Sequence, residues 1–166
     1  MNRKTTIRIQ NPYLKFSAAH FTIFSATSRE RLHGHNFHVS ADITAEVGAN
    51  GLCFDYNIMK RRMHALCERL DEYTLIPEDS PHLAIGENEQ EYEVTFDGQC
   101  MRLLKTDTLL LPVRNVTAEE LSHLLLKQML ADNIAAKHKI SAMTVSVASS
   151  PGQNAATHLQ LERGVL

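Results

Sequence analysis

The sequence predicts an α+β fold: a four-stranded antiparallel sheet with two helices on one face and a β-hairpin inserted between them. Three observations carry this. Residues 33–46 alternate with a strict period of two, and two later segments repeat apolar residues at helical spacing behind capping signals. The order strand, strand, helix, hairpin, helix, strand, strand then puts runs of strands on either side of the helices.

The first strand covers residues 5–20, with Ile7 and Ile9 and then Leu14, Phe16 and Ala18 alternating, and a bulge or edge position at Pro12. Ser25 to Arg31 is polar and reads as loop. From 33 to 46, His33, His35, Phe37, Val39, Ala41, Ile43 and Ala45 share one face, and polar residues fill most of the other, a half-buried antiparallel strand. Gly48 to Gly51 is turn chemistry. Asp55 or Asn57 caps a helix from about 56 to 70, whose stripe is Met59, Met63, Leu66 and Leu70.

Residues 76–90, with Pro77, Pro81 and Gly86, read as loop. The hairpin occupies about 91–104, turning at Asp97-Gly98. Thr117 to Glu120 has capping-box spacing ahead of Leu121, Leu124, Leu125 and Met129, a helix to about Ala136. Residues 140–148 make the third long strand, Pro151-Gly152 a turn, and residues 156–161 the fourth. All 166 residues fit one domain.

Composition narrows the function. Seventeen Lys and Arg against 19 Asp and Glu give a net charge of −2 without a basic run, which argues against a nucleic-acid partner. The longest apolar runs, such as Leu109 to Val113, are too short to span a membrane, and the polar, basic start is no secretory signal. Cys53, Cys67 and Cys100 lack metal-type spacing and suit a reducing cytoplasm.

Nine histidines are the unusual feature. His33 and His35 share the inward face of Phe37 and Val39, and His20 has the parity of Phe16 and Ala18. If the two strands pair, three imidazoles converge at one end of the sheet. Neighbours i and i+2 suit two ligands of a tetrahedral ion, and a third from the adjacent strand leaves one position open, as in catalytic zinc. The donor set favours Zn²⁺, with other first-row metals open. A lone His-x-His is common, so convergence is the argument. His38 has surface parity, and His64, His123 and His138 read as solvated or locally hydrogen-bonded.

Phe16-Ser17-Ala18-Ala19-His20, then Leu32-His33-Gly34-His35-Asn36-Phe37, Phe54-Asp55, Leu70-Asp71 and Thr117-Ala118-Glu119 resemble the 6-pyruvoyl-/6-carboxy-tetrahydropterin synthase family, from about residue 7 to 160. The resemblance implies the tunnelling fold, in which subunits close their sheets into a barrel. It also implies a homohexamer of two trimers with active sites between subunits, and zinc on His20, His33 and His35. The substrate would be a small heterocycle, bound by residues at the positions of Phe54, Asp55, Thr117, Glu119 and Ser149.

Three departures from the family pattern matter. The family's cysteine before His-Gly-His is absent, and Glu30 is the residue there able to take a proton at neutral pH. This resembles a branch with Glu for Cys, which cleaves the side chain of dihydroneopterin; the inserted hairpin resembles the same branch. The alternative for Glu30 is a loop carboxylate paired with Arg29 or Arg31. At the family's Leu-Asp-His the chain reads Leu70-Asp71-Glu72, so Asp71 with Glu72 would form the auxiliary acid pair, or His82 would reach in, or that step is lost. Where the branch has a pterin-anchoring Glu stands Ser149, which cannot make the two-pronged carboxylate contact; Glu119 or Gln153 would have to compensate.

The expected activity is thus a zinc-dependent lyase acting on the side chain of a 7,8-dihydropterin, either dihydroneopterin or its triphosphate. Arg29 and Arg31 make an anionic substrate plausible. The competitors are a homologue with the same zinc site but another heterocycle, and an inactive zinc-binding oligomer.

Overall fold

The computed structural model describes residues 3–161. Strand β1 (Lys4–His20) pairs antiparallel with a later long strand that begins at His33, with His20 opposite His33 and Ala18 opposite His35. Their register slips once: Gln10 to Lys15 is five steps on β1 against two, Ser40 to His38, on the partner. The three extra residues form the bulge expected at Pro12 and reverse parity along β1. Ile9 is buried before it, and Leu14, Phe16, Ala18 and His20 after it. Without that slip Ala19 would point inward and His20 outward.

The segment expected to be loop after β1 folds as a small hairpin of β2 (Ile23–Ser25) and β3 (Ser28–Arg29). Its strands are too short to show a period. Strand β4 (His33–Glu46) follows as the sequence indicates, and the Phe16 and Phe37 rings stack across β1 and β4 with centroids 5.0 Å apart. Helix α1 (Asn57–Glu68) buries Met59, Met63, Leu66 and Cys67 against the sheet. At its start Asp55 Oδ1 accepts the Asn57 amide.

The four-stranded description is corrected by the next two elements. Strands β5 (Tyr73–Pro77) and, further on, β9 (Thr108–Leu111) add to the sheet in parallel, β5 beside β1 and β9 beside β5. Both are short, and Leu75 and Ile76 at the centre of β5 are wholly buried, so neither alternates. Among the described residues the sheet therefore has six strands, β9 and β5 continuing beyond β1, and the expected antiparallel four at the other side. The insertion is likewise larger than a hairpin: β6 (Ala84–Glu87) joins β7 (Glu91–Phe96) and β8 (Gln99–Leu104) in a three-stranded sheet. Asp97 and Gly98 turn β7 into β8 with φ of 46° and 72°, the left-handed pair of a type I′ turn.

Thr117 caps helix α2 (Ala118–Met129), its hydroxyl oxygen accepting the Glu120 amide at 3.4 Å. Asp132 and Asn133 adopt positive φ and break the expected continuation to Ala136, leaving a single turn, α3 (Ile134–Lys137). Strands β10 (Ile140–Ser150) and β11 (Gln153–Gln160) complete the sheet, β10 against β4. Inward residues of β1, β4 and β10 share one core with α1 and α2; removing a large side chain such as Met59 or Leu125 from such a core typically costs about 2–5 kcal/mol. A second cluster, Phe21, Ile23, Ile76, Val94 and Phe96, joins the inserted sheet to β2 and β5.

Candidate metal centre and substrate cavity

Antiparallel pairing sets the last residue of β1 beside the first of β4, so His20, His33 and His35 meet at the inward end of the sheet. One ring nitrogen from each falls within a group whose members lie within 4.8 Å of one another. His20 is buried, and its Nδ1 donates to the Val116 carbonyl oxygen at 2.8 Å, which leaves the lone pair on Nε2. His33 Nδ1 likewise donates to the Arg31 carbonyl at 2.8 Å. A carbonyl can only accept, so both tautomers follow from the geometry.

The fit of these residues to a metal rests on one observation. His20 Nε2 is buried and has no hydrogen-bond partner among the described residues, a costly arrangement for a polar atom unless a cation takes the lone pair. His33 Nε2 and His35 Nε2 are 3.0 Å apart on the same side. Backbone carbonyls on the far nitrogens of His20 and His33 are the outer support that metal-bound imidazoles ordinarily have. Burial holds His20 below the ordinary imidazole value, against its bond to Val116, and the neighbouring His33 and His35 push the same way. It is therefore neutral at pH 7, as a ligand must be.

Glu30 lies at the edge of this cluster, its Oε2 3.9 Å from His33 Nε2. The small β2–β3 hairpin holds it there: the Thr22 amide donates to Glu30 Oε2 at 3.0 Å, and the Glu30 amide donates to the Thr22 carbonyl at 2.8 Å. Burial raises the Glu30 carboxyl, but the bonds from Thr22 and the nearby His33 and His20 outweigh it and hold the group below the usual carboxylate value. Asn115 ties the hairpin to the His20 support. Its side-chain amide donates to the Ile23 carbonyl, and its Oδ1 accepts the amides of both Ile23 and Val116.

The imidazoles and Glu30 open into a cavity of about 530 Å³, within the range that small-molecule sites occupy. Thr117 and Glu119 at the start of α2 and Ser149 at the end of β10 line it, with Gln153 and Asn154 on the following strand. The other candidates lie elsewhere. Asp71 Oδ1 accepts the Ser17 amide at 2.6 Å, and Glu72, with φ of 64°, lines a separate cavity with Ser17, Asn36 and Asp107. His35 borders both cavities. Phe54 is buried in the main core and packs on the His138 ring, and Asp55 is occupied at the start of α1. His82, His38, His64 and His123 are exposed.

Sequence reasoning missed Thr22, Asn115 and Val116: Val116 acts through its backbone carbonyl, Thr22 through its backbone and side chain, and Asn115 through its side-chain amide. Only Asn115, as a polar residue just ahead of a capping box, carried any signal. Arg29 and Arg31 also differ in kind: Arg31 is exposed, whereas the Arg29 guanidinium lies 4.9 Å from the Phe21 ring centre and 5.5 Å from that of Phe96.

A family model described as 6-pyruvoyl tetrahydropterin synthase matches residues 12–159. A relative from Methanocaldococcus jannaschii, provisionally described as a 6-carboxy-5,6,7,8-tetrahydropterin synthase, is 26% identical over 110 residues, 66% of this chain and 67% of its own. The crystal structure of 6-pyruvoyl tetrahydropterin synthase from Plasmodium vivax is 26% identical, covers 96% of this chain and 100% of that one, and superposes with a TM-score of 0.91. A solved variant of the Plasmodium vivax protein, in which a glutamate named as a catalytic residue is replaced by alanine, matches with the same identity, coverage and TM-score. The match spans both strands that bring the histidines together and the helix and turn that wall the cavity. This chain belongs to the 6-pyruvoyl tetrahydropterin synthase family.

Proposed function

We propose that the protein is a zinc-dependent lyase that acts on the side chain of a 7,8-dihydropterin, dihydroneopterin or its triphosphate. The observation that carries the reading is the Glu30 carboxylate held 3.9 Å from His33 beside three converging imidazoles, within one cavity of small-molecule size. The catalytic glutamate of the Plasmodium vivax relative supports it.

His20, His33 and His35 would hold the ion. When bound, zinc supplies Lewis-acid polarisation of the substrate's side-chain hydroxyls. Glu30, ionised at neutral pH, accepts the hydroxyl proton as the side chain breaks and returns it to the carbon left behind. Thr22 holds Glu30 Oε2, the carboxylate oxygen that lies 3.9 Å from His33 Nε2, and so fixes the carboxylate beside the imidazoles. Thr117, Glu119 and Ser149 bind the heterocycle; the Thr117 hydroxyl proton is not used by its capping bond and is available to donate.

Asp71 and Glu72 are the proposed auxiliary acid pair, and Phe54 and Asp55 the remaining substrate contacts. All four lie outside the lining of the imidazole cavity, so these roles require a neighbouring subunit, in keeping with a homohexamer that shares its sites. The same reading takes residues 1–166 as one tunnelling-fold domain and places the enzyme in the cytoplasm. No helix among the described residues is long and apolar enough to cross a membrane.

A second reading, a changed heterocyclic substrate with the fold and metal retained, is favoured by Ser149. A neutral hydroxyl lines the cavity where the resembling branch carries its anchoring carboxylate. The deciding experiment is turnover of dihydroneopterin and its triphosphate by zinc-loaded protein, with Glu30→Ala as control. A hydroxymethyl- or pyruvoyl-type product that disappears in the variant upholds the lyase. No turnover with zinc fully bound moves the assignment to another heterocycle or to an inactive zinc-binding oligomer.

A further inference from the structure

Arg29 immediately precedes Glu30, yet its charge is directed away from the cavity. The guanidinium is flanked by Phe21, just past the end of β1, and by Phe96 on β7, with its central carbon 4.9 and 5.5 Å from the two ring centres. Both rings are almost fully buried, at 1% and 4% exposure, in the cluster that joins the inserted sheet to the rest of the chain. From that position Arg29 Nη1 donates to the Glu30 carbonyl oxygen at 2.8 Å. A guanidinium is planar and keeps its charge at any working pH, so two aromatic faces and one carbonyl restrain it more narrowly than they would a flexible ammonium.

The consequence is a chain of contacts running from the insertion to the candidate base. Phe96 and Phe21 fix Arg29, Arg29 fixes the Glu30 backbone, and the reciprocal bonds with Thr22 then fix the carboxylate. We propose that the inserted three-stranded sheet is a brace for the active site, with Arg29 as a positioning residue that sets the reach of Glu30 toward the imidazole cluster. The inference rests on the assignment of Glu30 as the acid/base. It also removes Arg29 from the groups available to a substrate phosphate. The insertion, which lies outside the six-stranded sheet, thereby acquires a part in catalysis without touching substrate.

The test compares zinc-loaded wild type with Arg29→Ala, Arg29→Lys and Glu30→Ala in two measurements. The first is dihydroneopterin turnover, resolved into kcat and KM with zinc content checked; the second is amide hydrogen exchange at Thr22 and Glu30. Loosening the base by an ångström lowers kcat by about 10- to 100-fold. Arg29→Ala is therefore expected to lose kcat on that scale while KM and zinc content hold, with faster exchange confined to those two amides and their immediate neighbours. Arg29→Lys, which retains a cation and a donor, should recover part of both. Unchanged kcat and unchanged exchange in Arg29→Ala would overturn the brace, as would acceleration spread over the whole chain. If wild type turns over no dihydropterin, or Glu30→Ala remains active, the functional reading fails instead. In that case the catalytic part of the inference falls with the reading, and the exchange data decide its structural part: local acceleration shows that Arg29 restrains the Glu30 backbone, and its absence rejects that too.

Discussion

The Thr22 amide and the Glu30 carboxylate are hydrogen-bonded at 3.0 Å, while the Glu30 amide returns a bond of 2.8 Å to the Thr22 carbonyl. The pair closes the two-stranded hairpin between β1 and β4. It holds a carboxylate beside the imidazoles, with the Thr22 side chain and backbone amide both favouring its ionised form against the cost of burial.

Metal retention should depend on the buried imidazole. Wild type is expected to keep about one zinc per chain through exhaustive dialysis, and His20→Ala to weaken binding by more than about 100-fold, beyond the usual effect of losing an outer-shell partner. Metal analysis after dialysis, with circular dichroism to confirm folding, measures this. A folded His20→Ala protein with full zinc would place the ion elsewhere.

Ser149 offers a gain-of-function test. If the cavity takes a pterin, Ser149→Glu supplies a charged acceptor for its ring N–H groups, an interaction typically worth about 1.5–3 kcal/mol. Pterin affinity, followed by fluorescence titration, should then tighten by roughly tenfold or more. Equal or weaker binding would favour a different heterocycle.

The thiols should react in a defined order. Burial pushes the Cys67 thiol up to about 12, with Asp71 and Glu68 adding to the shift, whereas Cys100 is exposed and Cys53 half-buried. At pH 8 a disulfide reagent should label Cys100 first, Cys100→Ser should remove that fast phase, and Cys67 should react only on unfolding. Rapid labelling of Cys67 in the native protein would contradict its burial.

Acid should erase the Arg8–Asp42 bridge between β1 and β4. The Arg8 guanidinium, 2.7 Å from Asp42 Oδ1, holds the Asp42 carboxyl below its usual value against a modest burial effect, and Asp42 raises Arg8 in return. A depressed carboxylate contributes stability that is full above its unfolded value, about 3.9, and is lost as pH falls through the lower folded value. Arg8 is exposed and Asp42 only half-buried, so solvent screening keeps the contribution small. Urea midpoints of wild type and Asp42→Asn should differ slightly at pH 7 and converge in acid below both values. A gap that widened in acid would reverse the sign.

Residue pattern determined a good deal. Alternation over 33–46 settled β4 and the inward direction of His33 and His35, because a half-buried strand exposes its register in side-chain polarity. The capping residues of α2 and the Asp97-Gly98 turn were legible for the same local reason. Glu30 stood out as the titratable group beside the histidine pair.

Tertiary structure decided what has no local period. Strands β5 and β9 are short, parallel and covered on both faces, so Leu75 and Ile76 carry no alternation to read. Family pattern made Asp71 and Glu72 an auxiliary acid pair; within one chain Asp71 accepts the Ser17 amide and Glu72 lines a different cavity from Glu30. The inward turn of His20 depends on three extra residues in the β1 bulge, and the support of Glu30 on Thr22, Asn115 and the two phenyl rings flanking Arg29. Sequence specified the chemical groups, because pattern and composition act locally. Which groups share a cavity follows from strand register and backbone hydrogen bonds between distant segments, and no single stretch of chain encodes them.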